Sequence, residues 1–123
     1  MSKEVGQKFA EALHRLEDSR DLEAMVAMYT EDCEIGNVVV PEKYHGHDGA
    51  RKFWTIYRDT FGEARSEFRN IFGGESRAAL EWTTSGTNTT GGAFSYDGVS
   101  VLELEGEKVV RFRAYFDASE LGR

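Results

Sequence analysis

The chain has 123 residues, 30% of them charged, with fifteen Lys and Arg against twenty-two Asp and Glu for a formal net charge of −7. That length suits one domain spanning residues 1–123. The acidic balance disfavours a nucleic-acid backbone or an anionic membrane as partner, since both need surplus cation. Hydrophobic residues at 40% and aromatics at 12% are enough for a packed core. The longest aliphatic run, Val38-Val39-Val40, falls far short of the ~20 residues that span a bilayer. No apolar stretch follows Met1-Ser2-Lys3-Glu4, so no signal peptide is expected, and the lone Cys33 suits a reducing cytoplasm.

Val5, Phe9, Leu13 and Leu16 recur at helical spacing and predict a first helix over about 3–17. Asp18-Ser19-Arg20-Asp21 breaks it and supplies N-cap oxygens for a second helix. Leu22, Met25, Val26 and Tyr29 line that helix, which is expected to end near Thr30. Cys33 to Val40 reads as a short strand stopped by Pro41, which has no N–H to donate. A third helix starts at His47 or Asp48, with Ala50, Phe53, Trp54, Tyr57 and Phe61 on its buried face and Gly62 as C-cap. From Glu67 the period becomes two, with Phe68, Asn70 and Phe72 on one face. Gly73-Gly74, Gly91-Gly92 and Gly106-Glu107 then punctuate strands over Arg77–Asn88, Ala93–Leu104 and Lys108–Asp117, with a bulge or bend at Asp97-Gly98. Strands in direct succession, with no crossover helices between them, exclude a parallel βαβ sheet. The expected fold is therefore α+β: three N-terminal helices packed on a strongly curved antiparallel sheet, with a conical space between them.

Three segments carry a family resemblance. Asp21 to Asp32 resembles the second-helix segment of nuclear transport factor 2-like, cone-shaped α+β domains. Tyr44-His45-Gly46-His47-Asp48-Gly49-Ala50 resembles that superfamily's turn into the third helix, and Glu107 to Asp117 its last strand. Within the superfamily the chain is most similar to the SnoaL-like group, related to ketosteroid isomerases and limonene epoxide hydrolases. The resemblance implies small-molecule chemistry without a cofactor, but the family residues are mostly replaced. The isomerase base, oxyanion Tyr and oxyanion Asp fall on Asn37, Leu13 and Ser100, so that mechanism is not expected. The Asp that cyclases and epoxide hydrolases place in the last strand falls on Ala114, and nearby Asp117 has the opposite strand parity. Of the epoxide-hydrolase set, the Asn falls on Asn37, followed by Pro41 and Tyr44. Its Tyr falls on Ile35, and its Arg-x-Asp pair on Glu81 and Thr83 or their neighbours.

Strand parity groups Phe112, Ala114 and Phe116 toward the cone and sets Ser100 near Ala114. The strand holding Glu81 has two registers. A two-residue turn at Gly91-Gly92 sets Thr83 opposite Ser100 and sends Glu81 inward, whereas a three-residue loop sends Trp82 inward. The first register is preferred here. It makes Glu81 a general acid or base, raised toward neutrality by desolvation, with Asn37 as its hydrogen-bonding orienter. Tyr29, Trp54, Tyr57, Thr83, Phe94, Ser100, Phe112, Ala114 and Phe116 complete the expected pocket. His45-Gly46-His47 lacks the further ligands of a closed zinc site and reads as helix entry, so no metal is expected. The expected partners are a small apolar molecule and a second copy of the chain, covering the outer sheet face around Val99, Val101 and Tyr115. Acid/base chemistry on an apolar carbonyl or epoxide compound is the first functional expectation, and a non-catalytic ligand- or partner-binding domain is the second. An inward carboxylate in an otherwise apolar cone favours the first; a cone of Phe, Trp and Leu alone favours the second.

Overall fold

The protein is described by a computed structural model covering residues 2–39 and 41–117. Helix α1 (Ser2–Ser19) buries Val5, Phe9, Leu13 and Leu16, the stripe its spacing predicts. It ends in a left-handed turn at Arg20 (φ 60°), where the N–H groups of Arg20 and Asp21 close onto the carbonyls of Leu16 and Arg15. This satisfies two orphan carbonyls at the cost of one strained non-glycine residue. Asp21 then caps α2 (Leu22–Val26) through the Ala24 N–H. The second helix is a single turn of five residues rather than one reaching Thr30. Tyr29 already belongs to strand β1 (Tyr29–Asn37), so the sequence's three helices become two long ones and a turn. Val40, placed at that strand's end by the sequence, lies outside the described residues, while Val38 and Val39 are exposed beyond it.

Strand β2 (Tyr44–His45) leads into α3 (Gly46–Thr60), which buries Ala50, Phe53 and Trp54. His45 occupies the N-cap position without a side-chain cap bond, and a ring nitrogen of His47 lies 2.9 Å from the Tyr29 carbonyl oxygen. Among the described residues no cluster of His, Cys, Asp and Glu suits a metal ion. The chain passes directly into β3 (Phe61–Gly73), so Gly62 is a strand residue, not a helix cap. A long meander follows through β4 (Arg77–Asn88), β5 (Ala93–Glu105) and β6 (Lys108–Phe116).

The six strands form one sheet in the order β2-β1-β6-β5-β4-β3. The expected all-antiparallel sheet is corrected at one joint, where β1 runs parallel to β6, the whole meander serving as the crossover between them. Register shifts in β3 near Phe61 and Phe68, and between Glu103 and Leu104 of β5, bend the strands. The bulge after Phe68 also corrects the alternation read from the sequence. Phe68 and Ile71 pack on the core, while Phe72 is 59% exposed. The core lies between the sheet and the helices, with α1 across β3 and β4 and α3 across β1. Buried Arg58 ties these pieces together, its Nε donating to the Glu17 carbonyl and its Nη1 to the carbonyls of Phe61 and Gly62. Among the described residues, no helix is long and apolar enough to cross a membrane.

Candidate functional site

The inner face of the sheet is built in rows, because register partners on neighbouring strands point the same way. Ser66, Thr84 and Tyr96 form one row across β3, β4 and β5. Phe68, Trp82, Gly98 and Phe116 form the next. Leu80, Ser100, Ala114 and Asn37 form a third, which reaches β1. Against these rows stand Phe9 and Leu13 from α1 and Phe53, Trp54 and Tyr57 from α3, enclosing a cavity of about 60 Å³. Asn37, Phe53, Tyr57, Tyr96 and Phe116 are shared with an outer vestibule of about 240 Å³, which Val39, Tyr44, Ile56 and Thr60 help to line.

The β4–β5 register decides which side chains enter the cone. Asn88 pairs with Gly92 and accepts the Gly91 N–H, leaving the three-residue loop Thr89-Thr90-Gly91. Trp82 is thereby opposite Gly98, and Leu80, not Thr83, is opposite Ser100. Gly98 has a packing reason. A Cβ there would lie 2.4 Å from two ring carbons of Trp82, so the missing side chain lets the indole lie across β5. Trp82 is 6% exposed and its Nε1 donates to Ser100 Oγ at 2.9 Å.

Glu81 accordingly faces outward, against the expectation of an inward base. Its carboxylate accepts from Asn70 Nδ2 at 2.6 Å and pairs with Arg69 at 3.5 Å. The Asn70 hydrogen bond first, and then Arg69, hold its carboxyl below the ordinary carboxylate range, the reverse of the shift a neutral-pH base needs. Thr83 is also on the outer face, between Arg69 and Asp97. Tyr29 is buried behind the cavity wall, its hydroxyl accepting from Trp54 Nε1 at 3.1 Å. Phe94 is on the inner side but packs beyond the cavity, stacked on Phe61 with centroids 4.8 Å apart. Asn37, Trp54, Tyr57, Ser100, Phe112, Ala114 and Phe116 do line the cavity, and Ser100 is the register partner of Ala114 as expected. Asn37 Oδ1 also accepts the Val39 N–H, so it serves the turn as well.

Sequence reasoning missed Glu17. This residue of α1 is 2% exposed and sits behind the cavity wall. Its Oε1 accepts the Ser66 N–H at 2.9 Å, and its Oε2 accepts the hydroxyls of Ser66 at 2.6 Å and Tyr57 at 2.8 Å. Thr84 Oγ1 lies 2.6 Å from Ser66 Oγ. The signal was present, since Glu17 follows Leu13 by four residues on the apolar stripe. Burial, with the Glu17 charge beside it, holds the Tyr57 phenol well above the ordinary tyrosine value. Burial does the same for Tyr29 and, with Glu17 as the lesser cause, for Tyr96.

The match to known proteins agrees with this architecture. Residues 8–112 match the family described as the SnoaL-like domain. An NTF2-like protein of Anabaena variabilis ATCC 29413 superposes with a TM-score of 0.85 at 17% identity, over 97% of this chain and 91% of that one. An NTF2-like protein of unknown function from Burkholderia pseudomallei K96243 does so with 0.85 at 23% identity, over 98% and 95%. TerC, co-crystallised with polyporic acid, gives 0.82 at 18% identity, over 96% and 92%. At these identities the likeness is one of fold. No curated protein matches the chain.

Proposed function

We infer that this chain, which belongs to the SnoaL-like family, takes a small, largely apolar molecule into its cone and holds it there without a cofactor. The observation that carries this reading is a cavity walled by aromatic rings and edged by hydroxyls, opening through a shared rim into a larger vestibule. Among the described residues, no carboxylate, imidazole, thiol or amine lines that cavity. With Glu81 on the outer face, binding is favoured over catalysis. TerC, of the same fold, was co-crystallised with polyporic acid, which supports a small-molecule reading.

Native mass spectrometry of freshly purified protein, joined to a ¹⁹F NMR titration with 4-fluorotoluene, tests it. A co-purified organic mass or a saturable shift is expected for the wild type, lost when Ala114→Trp fills the cone. Neither signal in the wild type, or equal binding by the variant, overturns the reading.

Acid/base turnover of a carbonyl or epoxide compound is the second reading. Its support is the Glu17 carboxylate, hydrogen-bonded to two hydroxyl-bearing residues of the cavity wall, Tyr57 and Ser66. A second copy of the chain is the proposed cover for Val99 and Tyr115, which are 37% and 46% exposed on the outer face. Monomeric light scattering at micromolar concentration removes that proposal.

A further inference from the structure

Counting hydroxyl hydrogens gives one wall of the cone a fixed polarity. The Ser66 N–H and the hydroxyls of Ser66 and Tyr57 all donate to the Glu17 carboxylate oxygens. Ser66 has then spent its only hydroxyl proton, so in the Ser66–Thr84 pair Thr84 is the donor. Tyr57 and Thr84, both lining the cavity, are left with oxygen lone pairs and no proton to offer. Two other hydroxyls have the opposite character. Ser100 Oγ already accepts from Trp82, so its proton is the one left to donate. Tyr96 is 4% exposed, lines both cavity and vestibule, and its hydroxyl has no hydrogen-bond partner among the described residues. Among the described residues no enclosed side-chain polar atom lacks a partner, so this hydroxyl is open to water or to a ligand.

We propose that Glu17 sets Tyr57 and Thr84 as hydrogen-bond acceptors, flanked by the donors Tyr96 and Ser100, so that the cone selects a small ring compound carrying a hydroxyl together with a carbonyl or similar acceptor. This rests on the pocket reading above and adds the ligand's chemistry to it. Glu17 is here a positioning residue: it acts through the hydroxyls that it orients.

Three probes of nearly one size separate the possibilities: 4-fluorophenol, which donates, 4-fluoroanisole, which only accepts, and 4-fluorotoluene, which does neither. By ¹⁹F NMR titration the wild type is expected to bind the phenol about tenfold more tightly than the anisole, the worth of about one net hydrogen bond. Glu17→Gln places an amide N–H against these hydroxyls, releasing a proton toward the cavity, and is expected to bring the ratio to one or below. Thr84→Val keeps the branched shape and removes one wall acceptor, and is expected to lower the ratio even if Glu17→Gln does not fold. A wild-type ratio near one, with 4-fluorotoluene still bound, overturns this proposal and leaves the pocket standing. A ratio unchanged in both variants overturns it as well. Failure of all three probes to bind overturns this proposal, and, joined to the absence of any co-purified organic mass, overturns the pocket reading too.

Discussion

The two faces of the sheet carry similar polar kits with opposite consequences. Outside, the Glu81 carboxylate meets Asn70 and Arg69, with Thr83 and Asp97 beside them. Inside, the Glu17 carboxylate meets Tyr57, Ser66 and, through Ser66, Thr84. The outer groups trade hydrogen bonds with water freely, so their arrangement contributes little to stability. The inner groups are nearly withdrawn from solvent, so a partner removed there is far harder to replace than one removed outside. Solvent access, not residue type, makes one cluster structural and the other decorative.

Alkaline titration draws this difference most strongly. Folded-state phenols raised above their unfolded value stabilise the fold fully below that value, and this stabilisation is lost as pH climbs past about 10. The unfolded chain then releases protons that the folded chain retains. For Tyr29, Tyr57 and Tyr96 together, retained while the unfolded phenols ionise near 10, the loss at pH 11 is on the order of a few kcal/mol. Urea unfolding from pH 9 to 11 reads it, and phenolate absorbance before unfolding from more than the two other tyrosines, Tyr44 and Tyr115, would contradict it.

Glu17→Ala strands two buried hydroxyls and an N–H, and is expected to cost about 3 kcal/mol or more in the same assay. Gly98→Ala drives a Cβ into the Trp82 ring and is expected to cost about 1–3 kcal/mol, with a changed near-ultraviolet dichroism from the displaced indole. Glu81→Gln is expected to leave the unfolding midpoint and every probe affinity within error. A fall in affinity there would return Glu81 to the site.

Much of this was legible in residue order, and the failures have definite causes. Helical spacing located α1 and α3, because a stripe at 3.6 residues has one way to meet a core. The α2 stripe, Leu22 to Tyr29, is equally periodic but too short to hold a helix against a sheet edge that claims Tyr29. Alternation grouped Phe112, Ala114 and Phe116 on one face, and a one-residue slip between Glu103 and Leu104, just before the Gly106 turn, sets Ser100 opposite Ala114.

Composition and periodicity by themselves determined the class of fold, the two long helices, the four-strand meander and most of the aromatic wall. Only the folded chain decided the β4–β5 register, which exchanged Glu81 for Trp82, and the parallel joint between β1 and β6. It also decided the placing of Glu17 against Ser66, 49 residues away. The reason is physical. Periodicity is local and survives in any register, whereas an odd slip in a loop reverses every side chain beyond it. A buried carboxylate's partners are gathered from distant strands that no local pattern connects.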